Sequence, residues 1–227
     1  DKKGKAYRIA GSHTDINQHK VSEELLNTLL HNASHDLLTG LPNRSLFLEK
    51  LERCIVNSKR KKDILFSVLY IDIDRFKTVN DTLGHSMGNL LLIEVSKRIQ
   101  TCLSPEDVIA RLSGDEFGIL IEEISDVNEA IKIAKKIQKE LKKPFHLSEH
   151  EVFTSSSIGI TFSSSGYEKA EEVLRDADMA MFRAKALGRS RYEIFDSNLH
   201  LYALELLQLE TDLRYAIDRS EFLIHYQ

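Results

Sequence analysis

Val108-Ile-Ala-Arg-Leu-Ser113-Gly114-Asp115-Glu116-Phe117-Gly-Ile-Leu-Ile121 is two strand-like apolar runs separated by a short Ser-Gly break. That pattern reads as a tight β-hairpin. Its tip carries two adjacent carboxylates, and like charges that close call for a cation or a proton. A metal-binding turn is one reading. Taken alone, an ordinary polar hairpin tip is the plainer one.

Working outward, Ile64 to Ile73 is nearly all apolar and reads as a buried strand. It ends in Asp72-Ile73-Asp74. Carboxylates at the end of a buried strand are costly without a role. Alternation puts Asp72 and Asp74 on one face. Arg75-Phe76-Lys77, Asn80-Asp81 and Gly84-His85-Ser86-Met87-Gly88-Asn89 follow, read as turn-rich chain able to offer amide edges to a base and backbone to phosphates. Taken singly, each fits turn chemistry. Beside Asp115-Glu116 they compose a magnesium-nucleotide site, since magnesium takes one or two carboxylates plus substrate phosphates.

Helical periodicity marks residues 17–34, a segment after Arg44, Leu90 to Ile99, a lysine-faced stretch through Leu141 stopped by Pro144, and Ala170 to Leu187 ending at Gly188. Lys59 to Lys62 reads as a solvated loop. Val152 to Phe162 and Arg191 to Phe195 read as strands, and a further long helix is expected from Asp196 to about Ile217. Strands alternating with helices predict an α/β or α+β sheet with helices packed on it.

The 227 residues are 42% hydrophobic and 29% charged, which suits one good-sized globular domain with extensions. A net charge of -4 gives no sign of a nucleic-acid or membrane surface. No apolar run approaches a membrane span, and no signal-peptide pattern opens the chain. Cys54 and Cys102 lack metal or disulfide spacing, which fits a reducing cytoplasm. The first residue is not Met, and the last residues resemble a strand's beginning; an excised piece of a longer protein is expected, and the parent can be membrane-attached.

Six motifs stand in order: Asp36-x-Leu-Thr-Gly-Leu-Pro-Asn-Arg44, Asp72-x-Asp-x-Phe-Lys-x-x-Asn-Asp81, Gly84-His-x-x-Gly88, Arg111-x-Ser-Gly-Asp-Glu-Phe117, Ser157-Ile-Gly159 and Asp178-x-Ala-x-x-x-Ala-Lys-x-x-Gly-Arg189. In these the chain resembles the GGDEF domains, the diguanylate cyclases, from about residue 36 to residue 196. The flanks resemble other modules: 1–17 the last strand of a PAS sensor domain, 18–35 a signalling helix, and 197–227 a linker helix leading into an EAL phosphodiesterase domain. The EAL catalytic residues would lie beyond Gln227.

The resemblance implies an α+β fold, a central, mostly antiparallel sheet wrapped by helices, like the palm of nucleotide cyclases and polymerases. It implies a homodimer in which two GTP molecules condense to cyclic di-GMP and pyrophosphate, with Mg2+ or Mn2+. Asp72, Asp115 and the Ile73 carbonyl would hold metal. Glu116 would help deprotonate the attacking hydroxyl, and Gly114 would leave room for the nucleotide. Phe76 and Lys77 would approach the phosphates through backbone amides. Lys185 and Arg189, one helical turn apart, would neutralise phosphate charge, though such a pair also suits a helix C-terminus. Asn80 and position 89 would read guanine.

Three departures from the family pattern stand out. Ser113 replaces the first signature glycine, which a negative φ tolerates. Asn89 replaces the usual Asp, losing a charge-assisted bond to guanine and relaxing discrimination against adenine. Ser104-Pro-Glu-Asp107 lacks the arginine of the product-inhibition motif, so no strong inhibition by cyclic di-GMP is expected. A regulatory GTP-binding module controlling a downstream phosphodiesterase is the alternative function. A purely structural connector is the third.

Overall fold

Leu65–Ile73, apolar except for Ser67, Tyr70 and Asp72, forms β1 at the centre of a five-stranded sheet. The other strands are β2 (Val108–Ser113), β3 (Glu116–Ile124), β6 (Ser156–Phe162) and β7 (Tyr192–Ile194), in the order β2-β3-β1-β6-β7. All pairs are antiparallel except β6 with β7. A separate hairpin joins β4 (Phe145–Leu147) to β5 (His150–Val152). The computed structural model describes residues 32–60 and 65–196, together with 212, 213, 215–217 and 219. The segments expected to be the PAS-like remnant, nearly all of the signalling helix and most of the C-terminal linker lie outside the described residues.

Two apolar layers sandwich the sheet, as strand alternation requires. Phe66 and Val68 of β1 pack with Phe47, Leu51 and Ile55 of α1 (Arg44–Arg60) and with Val173, Leu174 and Ala177 of α5 (Ala170–Ala186). Leu69, Ile71 and Ile73 face the other way. They meet Leu91, Leu92 and Val95 of α3 (His85–Gln100) and Ala134, Ile137 and Leu141 of α4 (Val127–Leu141). The result is the expected α+β architecture.

Some boundaries differ from the sequence reading. Residues 76–83, read as turn chemistry, form α2 (Phe76–Leu83), and α3 starts at His85 rather than Leu90. Gly84, with φ 85°, turns the chain between the two helices. Lys59 and Arg60 belong to the last turn of α1, where cations suit the helix dipole. The run from Val152 to Phe162 is two strands. It divides where it changes partner, β5 pairing with β4 and β6 with β1, and Asp74 N–H still donates to Ser155 O at 2.9 Å at the end of the β1–β6 register. The β4–β5 hairpin was not anticipated.

One contact sets how closely α5 lies on the sheet. A Cβ on Gly159 would stand 1.9 Å from Ala177 O and 2.4 Å from Met181 N. Backbone here meets backbone, and no rotamer can relieve an added methyl. Gly159→Ala is expected to destabilise the chain by about 3 kcal/mol, the upper range for overpacking. Urea denaturation monitored by circular dichroism checks this; a midpoint equal to that of the parent chain would contradict the backbone contact.

Candidate active site

Sheet register assembles the carboxylates. Asp72 on β1 pairs with Glu116, the first residue of β3. Ser113 pairs with Glu116 across the hairpin, leaving Gly114 and Asp115 as a two-residue loop. Ile73 N–H donates to Asp115 O at 3.3 Å, which ties the loop to the end of β1. Asp72, Ile73, Asp115 and Glu116 therefore meet at one end of the sheet, as the sequence reading expects.

Lys185 reaches this cluster from the last turn of α5, and its Nζ lies 2.5 Å from Asp72 Oδ2. Burial pushes the Asp72 carboxyl up to about 6, opposed by Lys185 and reinforced by the negative charges of Asp115 and Glu116. Burial likewise raises Asp115, with Glu116 adding to it and Lys185 opposing. The Tyr70 phenol is pushed up by burial and by the charges of Glu116 and Asp178. The site holds more negative charge than one lysine balances.

That donor set suits magnesium: two carboxylates beside a main-chain carbonyl, with the remaining positions left to phosphate oxygens and water. Among the described residues, no three of His, Cys, Asp and Glu converge into a metal cage of their own.

Asp74 has a different task. Ser157 is the cross-strand partner of Asp72, and its hydroxyl donates to Asp74 Oδ1 at 2.7 Å, so Asp72 and Asp74 do share a side of the sheet. But the Asp74 carboxylate also accepts the Ser155 hydroxyl and Ser190 N–H. It is a buried clamp holding β1, β6 and the loop before β7 together.

Two polar contacts organise the hairpin tip. Ser113 Oγ donates to Glu116 Oε2, so the residue replacing the first signature glycine grips the neighbouring carboxylate. Gly114 has φ 39°, whereas Ser113 is not left-handed, as its survival in the turn requires. Arg111 donates through Nε and Nη2 to Gly114 O, at 2.9 and 2.8 Å, and through Nη1 to Asp36 at 3.0 and 3.1 Å. Thr39 donates to the same Asp36 carboxylate. This positioning role of Arg111 was missed; its signal was the pairing of an Asp-x-Leu-Thr-Gly motif with an arginine two residues before the signature.

The residues expected at the nucleotide lie on α2 and α3. Phe76 and Lys77 open α2, and Asn80 follows one turn later. Asn89 is exposed in the first turns of α3. Gly88 makes their closeness possible, since a Cβ there would stand 1.8 Å from Asn80 Oδ1 and 3.2 Å from the Phe76 ring. Arg189 is not on the face of α5 that carries Lys185. The helix ends at Ala186, Gly188 turns left-handed at φ 111°, and Arg189 N–H folds back to Ala184 O at 3.0 Å. The expected one-turn spacing is thus replaced by a loop that sends Arg189 toward Arg75 and Ser190.

At the position of the product-inhibition motif, Asp107 Oδ2 accepts Ser104 N–H at 2.8 Å as a turn cap. Glu106, Glu122, Glu123 and Glu129 surround it.

A family model described as "Diguanylate cyclase, GGDEF domain" matches residues 33–191. The chain is 44% identical over 199 residues to the bifunctional diguanylate cyclase/cyclic di-GMP phosphodiesterase MucR of Pseudomonas aeruginosa, covering 88% of the chain and 29% of MucR. It is 37% identical over 216 residues to the cyclic di-GMP phosphodiesterase PdeR of Escherichia coli, covering 95% of the chain and 32% of PdeR. The chain thus spans about a third of the length of these relatives. Among solved structures, the GGDEF domain of TpbB from Pseudomonas aeruginosa superposes with a TM-score of 0.72 at 36% identity, over 75% of this chain and 99% of that one.

Asp72 also gives the site a stability signature. Its carboxyl titrates near 3.8 when unfolded and about 6 when folded. The folded state therefore binds the proton more tightly, and stability falls as pH rises from about 4 through 6. Asp72→Asn removes this dependence. Without divalent metal, the variant is expected to match the parent chain near pH 4 and exceed it by about 1–3 kcal/mol at pH 7.5. Urea unfolding at the two pH values measures this; a gap that does not widen with pH would refute the burial of Asp72 as its cause.

Proposed function

The chain belongs to the GGDEF domain family, and from that premise we propose that it is a diguanylate cyclase acting in cyclic di-GMP signalling. The observation that carries the reading is the meeting of Asp72, Asp115 and Glu116 at one sheet end, with Lys185 on Asp72.

Two chains face each other, each holding one GTP. Asn80 and Asn89 take the guanine edge, and Gly114 lets the nucleotide lie close to the hairpin tip. The backbone of Phe76 and Lys77 cradles the phosphates, with Lys185 and Arg189 balancing their charge. Glu116 accepts the proton of the 3′-hydroxyl, held for that purpose by the Ser113 hydroxyl. The 3′-oxygen then bonds to the α-phosphorus of the opposite GTP, and the bond to the bridging oxygen breaks, releasing pyrophosphate. Repeated on the other side, this closes the cyclic dinucleotide. Magnesium held by Asp72, Asp115 and the Ile73 carbonyl would supply charge neutralisation at the phosphates.

The acidic surroundings of Asp107 disfavour a doubly anionic product there, which supports the reading that cyclic di-GMP does not strongly inhibit at that position. The domain limits 36–196, with sensor-like and EAL-like neighbours on either side, belong to this same reading.

The second reading is a GTP-binding regulatory domain of a phosphodiesterase. Asn89 favours it, since a neutral amide holds guanine less tightly than a carboxylate. Incubating the chain, fused to a dimerising coiled coil, with GTP and magnesium separates the two. Cyclic di-GMP that vanishes in Glu116→Gln supports the cyclase. GTP binding without product supports the regulator, and no GTP binding refutes both.

Asn89→Asp is expected to tighten GTP about fivefold, the difference between a neutral and a charge-assisted bond. Fluorescent-nucleotide titration reads it, and an unchanged affinity would remove Asn89 from the base subsite.

A further inference from the structure

Strand β3 lies between β2 and β1, and Glu116 stands at its end with a neighbour on each side. On the β2 side it pairs with Ser113, whose hydroxyl donates to Glu116 Oε2. On the β1 side it pairs with Asp72. Tyr70 comes two residues before Asp72, so alternation puts its side chain on the same face, diagonal to Glu116. Aromatic and long side chains reach one another across such a diagonal.

The neighbouring strands leave room for the Tyr70 ring. Directly opposite it stand Gly118 on β3 and Gly159 on β6. A Cβ on Gly118 would lie 3.1 Å from Phe47 Cζ, and one on Gly159 would strike α5. Both glycines are therefore bare on the side where Tyr70 packs, partly buried, against the cluster of Phe47, Val68 and Ala177. A phenylalanine would fill the same space. The hydroxyl is what calls for a reason, since a phenol drawn out of water is costly without a partner. Its surroundings supply one: the phenol hydrogen-bonds to Glu116. Burial, and then the charges of Glu116 and Asp178, keep it protonated against the opposing charge of Arg44.

We propose that Tyr70 is a positioning residue for Glu116: its phenol donates to the carboxylate from the β1 side while Ser113 donates from the β2 side, and the two donors together aim Glu116 at the 3′-hydroxyl. The role rests on the cyclase reading above and adds to it a residue that lies outside all six sequence motifs. A glutamate at a strand end has several rotatable bonds. Donors on opposite sides hold it in one orientation, as proton transfer in a near-attack geometry requires. Tyr70 itself gives up no proton. When Glu116 takes the proton of the 3′-hydroxyl, the phenol stays neutral and keeps its bond to the carboxyl group.

One measurement with turnover and one without test this. Tyr70→Phe keeps the ring and removes the hydroxyl. In the chain fused to a dimerising coiled coil, kcat for cyclic di-GMP is expected to fall roughly tenfold with KM for GTP unchanged, the loss of one bond to a charged group. An unchanged kcat, or a raised KM with kcat intact, overturns the role. For the second measurement the chain carries isotopically labelled tyrosine, and the NMR resonance of the Tyr70 phenol carbon is followed without nucleotide or divalent cation. Its absence from Tyr70→Phe identifies it. Glu116→Gln exchanges the charged acceptor for a neutral amide and is expected to move that resonance. A resonance left in place overturns the contact, whatever the activity. A moved resonance in a chain that makes no cyclic di-GMP upholds the contact and counts against the cyclase reading instead. Equal urea midpoints confirm that the variants fold.

Discussion

The contact of Gly159 with the backbone of Ala177 and Met181 is the constraint on which the site depends. It lets α5 settle on β6 with no side chain between. At that depth Lys185, two turns further along the helix, comes within 2.5 Å of Asp72. A helix held off by one methyl would carry its lysine away from the carboxylates. The same seating buries Ala177 and Ala180, small residues suited to so close an approach. Fold and site thus share one steric requirement.

The site is built against its own electrostatics. Asp72 and Asp115 are partly desolvated and lie near Glu116, and a single lysine compensates them. Neutral residues there would pack more comfortably. The excess charge fits the proposed reading, in which a cation arrives with the nucleotide. Around it the chain spends its polar bonds freely: Asp74 takes three, and Arg111 joins two loops. Rigid surroundings hold groups that would otherwise separate.

Much of this was legible in the residues. The hairpin announced itself by two apolar runs around Ser113-Gly114, and β1 by nine residues with few polar interruptions. The meeting of Asp72 with Glu116 followed from strand ends and motif order. What stayed hidden depended on contacts distant in sequence. Helix α2 is only eight residues long, and its apolar positions Phe76, Val79 and Leu83, which pack partly buried against the core, were too few to stand out from the turn residues around them. The division of β5 from β6 comes from a change of partner, β5 pairing with β4 and β6 with β1, some eighty residues away. Spacing alone placed Arg189 on a helix that Gly188 had already ended.

Arg111 has a mechanical consequence. Its guanidinium spans Asp36 and Gly114 O, and its own N–H donates to Pro42 O at 3.0 Å. Asn43 in turn holds Ala33 O and Ser34 O. Residues 33–43 are therefore laced to β2 and to the hairpin tip by short, stiff links. An unbroken set of hydrogen bonds thus runs from Ala33 to Gly114. The segment that enters the domain and the hairpin tip at Gly114 are therefore one hydrogen-bonded unit, and neither can be repositioned without the other.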